Sequence, residues 1–356
     1  MTLTLHVDGE RWRSHLRAVA EATPGLTPVT KGNGYGLTLP RLARRAGWLR
    51  EQGFDVDTIA VGTYSELGEL APRFDGDLLV LTPWRPFGPE LALDEALERR
   101  VVHTVGRLED LDALLERRPD ARVVLERRTS MLRHGFDAAG LRAAGDLLRR
   151  RPRARVRGVA LHLPLDQGSH LAEVLGLMDD VVAADLPTRT LWISHLTGDE
   201  LARLRRTYAD YTVRPRVGTG LWLGDRGALR VTSTVLDVHD LPRGEPFGYR
   251  GRSMPRAGHL LVVSGGTAHG IGLAAPGGEG SLRGRAARLA RGGLDAAGLV
   301  RSPFTVDGRQ RVFAEPPHMQ ASMLFVPRGA RVPAVGDELD VRVRYTTTSF
   351  DRVLVA

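Results

Sequence analysis

The sequence contains a single lysine, and its other Lys or Arg positions are all arginine. Lys31, in the stretch PVTKGNGYGL (28–37), is the only lysine, and the other 49 of the 50 basic residues are arginine. Arginine can replace an exposed lysine at little cost, but a guanidinium stays protonated and cannot serve where a free amine is needed. We therefore predict that Lys31 performs amine chemistry, either by forming a Schiff base or by accepting a proton.

A second set of polar and small residues follows later apolar runs of the chain. Each member ends such a run or lies in the segment directly after it. The set consists of Arg133 in TSMLRHGF, His162 in GVALHL, Ser194 in ISH, Arg216 in RPRVG, and Gly218 and Thr219 in GTG. Singly, each has an ordinary structural explanation, such as a core histidine or a buried ion pair. Their shared placement is what indicates a functional site.

The elements that must position these residues alternate between strand and helix over residues 27–224. Short apolar runs are each followed by a segment with helical spacing of its apolar residues. The runs span 27–32, 58–63, 78–83, 101–106, 121–127, 156–163, 190–196 and 213–220. Eight such units with right-handed crossovers predict an α/β fold, a (β/α)8 TIM barrel. The alternative, an open doubly wound sheet, expects a Gly-rich dinucleotide turn after its first strand, and GNGYG lacks that spacing.

From about residue 228 the pattern changes to strands separated by Gly and Pro turns. ALRVTSTVLDV, HLLVVSGG, RVFAE, ASMLFVP and LDVRVRY predict a mainly β C-terminal domain. The stretch 275–300 predicts a loop with a short helix, and LTLHV (3–7) predicts a strand that pairs with the β domain. We assign residues 8–226 to the barrel and residues 227–356, with strand 2–7, to the β domain.

The predicted barrel gives the polar residues a common location. Barrel enzymes carry their active site at the carboxyl ends of the strands, and the loops after strands seven and eight recurrently bind phosphate. Ser194, Gly218 and Thr219 fall in these loops, and they offer two hydroxyls and open backbone N–H groups. A free amine that faces a phosphate site inside a barrel suggests pyridoxal phosphate, with Lys31 as its attachment point.

Composition narrows the remaining classes of function. The chain has no cysteine, which excludes disulfides, cysteine-based zinc sites and a thiol nucleophile. Charged residues interrupt the first 17 residues, which therefore lack the apolar stretch of a signal peptide, and we expect a cytoplasmic protein. No run of about 18 apolar residues occurs, so we expect no membrane span. The net charge of +8 raises nucleic acid as a partner to consider. The densest basic run, LRRRPRARVRG (148–158), has no interleaved aromatics, which favours solvated surface over nucleic-acid binding.

The residues around Lys31 resemble the signature of one family, the alanine racemases. VTKGNGYG (29–36) is similar to that family's VKANAYG, and the resemblance extends over nearly the whole chain in the same order. It implies a fold-type III pyridoxal-phosphate enzyme with a barrel followed by a β domain. Lys31 then takes the place of the cofactor lysine and of one catalytic base, and Tyr35 that of a phosphate-binding tyrosine.

Other barrel motifs carry the resemblance further. TSMLRHGF is similar to a TGMGRLG-like segment, which implies that Arg133 contacts the cofactor hydroxyl and the substrate carboxylate. GVALHLPLD implies that His162 lies under the cofactor ring. RVGTGLWLG resembles RPGIALYG, which implies that Arg216 faces the pyridine nitrogen. The phosphate-contacting positions of the family match Ser194, Gly218 and Thr219.

Two motifs of the β domain complete the resemblance. GEPFGYRG is similar to GExVSYG and makes Tyr249 the second catalytic base, while PHMQASM resembles CMDQ and places Met319 where a backbone N–H meets the substrate carboxylate. In the family, each site joins one subunit's barrel to the partner's β domain, so a homodimer with shared sites is implied. The resemblance thus implies a racemase of a free amino acid, with alanine as the first candidate, and no metal.

Five positions depart from the family's pattern, and one of them is Arg342, which aligns with a phosphate-contacting tyrosine near the C-terminus. The aspartate and glutamine of MDQ become Gln320 and Ala321, and an entrance tyrosine becomes Thr267. A lysine that is sometimes carbamylated in the family aligns with Glu126, whose carboxylate supplies the negative charge directly. The departures at the entrance leave the reaction type standing and leave the identity of the substrate open. The alternatives are the same cofactor and fold acting on a larger amino acid or as a decarboxylase, and a protein that binds the cofactor without turnover.

Overall fold

The computed structural model describes residues 2–88, 91, 93–165, 170–273 and 300–356. The chain divides into two compact units. One, here called the barrel unit, is Arg13–Gly224, and the other, the β unit, is formed by Met1–Trp12 together with Asp225–Ala356. The loop with a short helix predicted over 275–300 lies, up to residue 299, outside the described residues.

Parallel strands form the centre of the barrel unit. The chain begins with β1 (Leu3–Val7), which belongs to the β unit. In the described part of the chain, eight parallel strands then close into a barrel in sequence order, which confirms the predicted fold class. They are β2 (Thr27–Thr30), β3 (Thr58–Val61), β4 (Asp77–Val80), β5 (Val101–Val105), β6 (Arg122–Arg127), β7 (Arg155–His162), β8 (Thr190–Ser194) and β9 (Thr212–Val217).

Helices alternate with these strands along the chain. They are α1 (Gly9–Ala22), α2 (Leu39–Glu51), α3 (Leu67–Leu70), α4 (Glu95–Glu98), α5 (Leu108–Arg117), α6 (Ala138–Arg149), α7 (His170–Ala183), α8 (Gly198–Thr207) and α9 (Thr219–Trp222). Local sequence fixes several starts: the Asp137 carboxylate caps α6, and Thr197 and Glu200 form a capping box at α8. Among the described residues, none of these helices is long and apolar enough to cross a membrane.

The interior of the barrel is filled by side chains from neighbouring strands. A buried cluster joins one residue from each of β4 to β8: Leu79, Val102, Val124, Ala160 and Trp192. Side chains alternate between the two faces of a strand, so the residue two positions further along points inward again, one layer closer to the carboxyl ends. This alternation brings polar side chains into the uppermost layer of the barrel.

The β unit is a mainly antiparallel sheet. Its further strands are β10 (Leu229–Leu241), β11 (Pro246–Phe247), β12 (Arg252–Ser253), β13 (Gly258–Ser264), β14 (Arg301–Val306), β15 (Arg309–Phe313), β16 (Ala321–Pro327), β17 (Glu338–Val341) and β18 (Arg352–Val355). The main sheet has the order β13-β16-β15-β14-β17-β10-β1-β18, and β11 and β12 pair with each other. β1 pairs antiparallel with β10, as predicted. The sequence pattern missed β14, whose RSPFTV contains a proline, and the short β11, β12 and β18.

Candidate active site

Three polar residues continue the interior layers of the barrel at its carboxyl end. Glu126, His162 and Ser194 follow the core residues Val124, Ala160 and Trp192 by two positions each. The strand pairing places His162 of β7 directly beside Ser194 of β8. The predicted site residues of these strands are far apart in the sequence. The alternation of side chains along each strand and the register between strands bring them together.

His162 and Ser194 form a hydrogen-bonded pair. The Ser194 Oγ lies 2.8 Å from His162 Nδ1. Burial lowers the pKa of His162 to about 3, and the positive charges of Arg216 and Arg133, followed by His195 and Lys31, contribute in the same direction. The imidazole is therefore neutral at physiological pH, and it can stack against or hydrogen-bond to a ligand without adding a further positive charge.

Arg216 is a buried cation of β9 with a carbonyl partner. Its Nη2 donates to the Leu161 carbonyl at 2.9 Å, and among the described residues no carboxylate lies within salt-bridge distance. Burial lowers the pKa of Arg216 to about 10; the Glu126 charge opposes this shift and the Arg133 charge adds to it. A guanidinium stays charged at neutral pH, so Arg216 presents a positive charge inside the barrel.

A buried carboxylate accompanies this cation. Glu126 is 4% exposed, and its Oε2 has no hydrogen-bond partner among the described residues. Burial raises the pKa of Glu126, while Arg216 and Arg133 act to lower it. A buried polar atom without a partner is costly, and such an atom in a folded protein indicates a strained or functional location. Here it lies in the field of Arg216 and Arg133, at the position that aligns with the family's sometimes carbamylated lysine.

Lys31 lies immediately after β2, at the same end of the barrel. Partial burial lowers the pKa of its amine, Arg133 and Arg216 lower it further, and Glu66 opposes them. Glu66 also holds the backbone here, because its Oε1 accepts the Gly32 N–H and its Oε2 accepts the Gly62 N–H, both at 2.9 Å. Lys31 is thus an amine with an increased tendency to lose its proton, on a backbone segment that is fixed by a carboxylate.

Tyr35 and Gly218 approach each other at the place predicted for phosphate. A Cβ at Gly218 would lie 2.2 Å from the Tyr35 hydroxyl, so that only glycine leaves room for this buried ring. Tyr35 has a φ of 55°, a left-handed conformation that is uncommon for residues other than glycine. Thr219, the residue after Gly218 and the first of the short α9, is exposed.

The loop after β6 carries Arg133 and is anchored at two points. The Thr129 hydroxyl donates to the His162 carbonyl at 2.6 Å, and the backbone N–H and hydroxyl of Ser130 both donate to the Glu173 carboxylate. Arg133 is exposed, and its charge contributes to the pKa shifts of the barrel-mouth groups described above. The predicted barrel residues therefore share one electrostatic environment at the carboxyl ends of the strands.

The two predicted residues of the β unit share a cavity there. Tyr249 and Met319 line a cavity with a volume of about 700 Å³. The positions that depart from the family's pattern, Thr267, Gln320 and Ala321, line it as well. Tyr249 is 87% exposed, and its backbone N–H donates to Glu315.

Sequence reasoning missed several residues of these sites. His195 follows Ser194 with a φ of 65°, and its ring meets that of His162 edge-on with centroids 5.3 Å apart. Its signal was the SH pair at a strand end. Glu66 could have been found from the capping-box spacing of Thr63 and Glu66 in TYSE. Glu315 and its partner His318, in contrast, have no recognisable sequence signal.

The barrel-mouth residues fit pyridoxal phosphate. The set joins an amine of lowered pKa, a buried arginine without a carboxylate partner among the described residues, a neutral histidine, and a glycine whose missing Cβ leaves space beside the Tyr35 hydroxyl. The Glu126 carboxylate, whose buried Oε2 lacks a hydrogen-bond partner among the described residues, completes the set. The amine can bond to the aldehyde of this cofactor, and the arginine and the neutral histidine are groups that can accompany its aromatic ring.

Comparison with known proteins gives the same result for the fold. No curated protein sequence matches the chain. Alanine racemase from Bartonella henselae with covalently bound pyridoxal phosphate is 16% identical and superposes with a TM-score of 0.73 over 100% of both chains. Alanine racemase from E. faecalis is 20% identical, with a TM-score of 0.71 over 99% of this chain and 98% of that chain. Histidine racemase from Leuconostoc mesenteroides subsp. sake is 17% identical, with a TM-score of 0.68 over 99% and 98%.

At these identities the structural likeness establishes the fold alone. The family follows from the sequence itself, because the profile described as "Alanine racemase, N-terminal domain" matches residues 7–192, more than half of the chain. The match includes the segments that carry Lys31, Tyr35, Arg133 and His162. The chain therefore belongs to the alanine racemase family.

Proposed function

We propose that this protein is a pyridoxal-phosphate-dependent amino-acid racemase, with alanine as the first candidate substrate. The observation that carries the proposal is the surrounding of its only lysine. Lys31 lies at the barrel mouth, its pKa is lowered by burial and by Arg133 and Arg216, and its neighbour Gly32 is held by Glu66. An amine in this state can attach to an aldehyde and can accept a proton, and arginine can do neither.

In this proposal the barrel residues hold the cofactor. The residues in this role are Lys31, Tyr35, Arg133, His162, Ser194, Arg216, Gly218 and Thr219. Bound pyridoxal phosphate supplies an electron-withdrawing ring that acidifies the α-C–H of an attached amino acid. Arg216 opposes protonation of the ring nitrogen, because two positive charges in contact repel each other. His162, neutral by burial, would accompany the ring without adding charge.

Two bases from different units move the proton. Lys31 takes or returns the α-proton on one face, and Tyr249 acts on the other, which inverts the configuration of the α-carbon. Arg133 and the backbone N–H of Met319 orient the substrate carboxylate. We propose a homodimer in which Tyr249 of one subunit completes the barrel site of its partner, so that residues 8–226 bind the cofactor and residues 2–7 and 227–356 supply the second base. We also propose a cytoplasmic location, which the absence of cysteine supports.

Solvent exchange tests the proposal. The purified protein, supplied with pyridoxal phosphate, is incubated with each L-amino acid in D₂O, and deuterium at the α-carbon and the D/L ratio are measured. We expect α-deuteration together with formation of the D-enantiomer, and loss of both in Lys31→Ala. Release of CO₂ and an amine would identify a decarboxylase instead. A protein that binds the cofactor but exchanges no α-proton would contradict the racemase.

A larger substrate is a second candidate, favoured by the cavity in the β unit. Its lining includes Thr267, Gln320 and Ala321, where the family's pattern has a tyrosine, an aspartate and a glutamine. Replacing a ring by a threonine removes contact area from a small substrate. Each methylene that a pocket gains or loses changes discrimination by only about 1–3 kcal/mol, so such a pocket accepts several side chains.

The variant Thr267→Tyr separates the two candidates. We expect it to raise the ratio of kcat/KM for alanine to kcat/KM for methionine or arginine, because the restored ring refills the cavity. The exposed Thr346→Tyr, also in the β unit but absent from the cavity lining, serves as the control. If the wild-type protein turns over alanine and rejects every larger amino acid, the second candidate is wrong.

A further inference from the structure

A buried carboxylate lies beneath the exposed Tyr249 in the β unit. Glu315 follows β15 and is 2% exposed. Its Oε2 accepts the Tyr249 backbone N–H at 3.1 Å, and its Oε1 lies 2.5 Å from His318 Nε2. One side chain thus connects the segment that carries Tyr249 with the segment that follows β15, over a separation of 66 residues.

The backbone of Gly248, directly before Tyr249, packs against the Glu315 carboxylate. Gly248 has a φ of 68°, and a Cβ at this position would lie 2.2 Å from Glu315 Oε2. A residue with a side chain would be strained by the φ and would also displace the carboxylate. The backbone of Gly248 and Tyr249 is therefore fitted to Glu315 both by close approach and by a hydrogen bond.

The Tyr249 ring is held by a second contact. Its centroid lies 4.6 Å from that of the His318 imidazole, with the two planes tilted by 50°. A tyrosine that is 87% exposed ordinarily samples several rotamers. Here the imidazole offers one contact surface for the phenol ring, and Glu315 fixes that imidazole through its Nε2. Backbone and ring of Tyr249 thus depend on the same carboxylate.

We propose that Glu315 and His318 form a positioning pair that fixes the direction of the Tyr249 phenol. Glu315 acts on the Tyr249 backbone and on His318, and His318 acts on the ring. Both act through Tyr249 in this proposal, so both are positioning residues. The consequence for turnover rests on the proposed function, in which Tyr249 is a catalytic base. A base that is misplaced by about 1 Å costs as much as a hundredfold in rate.

The position of the ring can be read without any turnover. The full chain, loaded with pyridoxal phosphate, is labelled with 3-fluorotyrosine, and the Tyr249 ¹⁹F resonance is assigned by its loss in Tyr249→Phe. We expect Glu315→Gln and His318→Ala to shift this resonance toward the value of an unstructured tyrosine, and His318→Phe, which keeps a ring, to shift it less. The control is His259→Asn, which breaks another histidine–carboxylate contact of the β unit, to Asp240 at 2.8 Å, and should leave the resonance unchanged.

Kinetics then separates positioning from general stability. We expect Glu315→Gln to lower kcat by about tenfold to a hundredfold with little change in KM. In a Tyr249→Phe background Lys31 can still exchange the α-proton of one enantiomer with D₂O, and the same substitution should leave that exchange rate unchanged, because the ring that it orients no longer carries a hydroxyl. A merely structural role would lower activity in both backgrounds, and would overturn the proposal.

The resonance also keeps the two proposals distinguishable. A wild-type protein that racemises no amino acid overturns the proposed function, while the ¹⁹F shift still decides the positioning of Tyr249. If the resonance is unmoved in Glu315→Gln and in His318→Ala, and both variants melt like the wild type, the pair does not position Tyr249.

Discussion

At the scale of single residues, Lys31 lies in a field that favours its neutral form. Burial removes water from part of the amine, and Arg133 and Arg216 add positive charge nearby. Glu66 acts in the opposite direction, but its effect is the smallest of the four. A cation in such a place is destabilised relative to the free amine, so the group loses its proton more readily than an exposed lysine does.

This gives a prediction for the reactivity of Lys31. Because it is the only lysine, mass spectrometry of its peptide reads the acetylation of one side-chain amine without interference. After removal of any cofactor with hydroxylamine, the dependence of the acetylation rate on pH should show a midpoint below the ordinary lysine value of about 10.4. A lowered pKa means a larger fraction of free amine near pH 8, and hence faster labelling than in an unstructured peptide of the same sequence. A midpoint at or above that of the peptide would contradict the assigned surroundings.

At the scale of elements, the loops after β2 and β3 are joined by Glu66. Its carboxylate accepts N–H groups from Gly32 and Gly62 with separate oxygens, and it closes the capping box with Thr63. A glutamine has only one accepting oxygen, and its NH₂ group would face the second N–H donor. The geometry of the loop that carries Lys31 therefore depends on both carboxylate oxygens.

Replacement of this carboxylate should have two measurable effects. We expect Glu66→Gln to lower the free energy of unfolding in urea by about 1–3 kcal/mol, because one N–H donor is left without a partner. It should also lower the acetylation midpoint of Lys31, because the charge that raises this pKa is removed. Glu69→Gln, one helical turn away and exposed, is the matched control and should change neither. Equal effects of the two substitutions would refute a specific role of Glu66.

At the scale of the whole molecule, the proposed bases belong to different compact units. Lys31 lies in Arg13–Gly224, and Tyr249 lies in the unit that includes Asp225–Ala356. In the proposed homodimer each site takes its lysine from one subunit and its tyrosine from the other. Two inactive variants can then complement each other, since the hybrid contains one site with both bases and one with neither.

Mixing of variants tests this arrangement. Lys31→Ala and Tyr249→Phe subunits are unfolded together, refolded, and assayed for racemisation. Random pairing into dimers leaves about a quarter of all sites intact, and we expect about that share of the wild-type activity. Each variant refolded alone is the control. Hybrids verified by mass spectrometry that show no recovered activity would mean that both bases come from one chain.

The order of the elements was determined by the sequence itself. Strand runs and helical spacing are local properties, so the eight barrel strands could be predicted to within a few residues, as could several strands of the β unit. The family signature around Lys31 is local as well. The lysine's isolation among arginines could be seen without any structure.

The tertiary structure alone decided what each polar residue meets. Arg214 and Arg216 look alike in the sequence RPR, and both are buried. In the closed barrel, Arg214 forms an ion pair with Asp57, 157 residues earlier in the chain. Arg216 instead donates a hydrogen bond to the Leu161 carbonyl, beside the candidate site. Glu315 likewise gains its connection to Tyr249 only through folding. The physical reason is that hydrogen bonds and ion pairs depend on distances of a few ångströms, and these are set by strand register and chain closure rather than by local sequence.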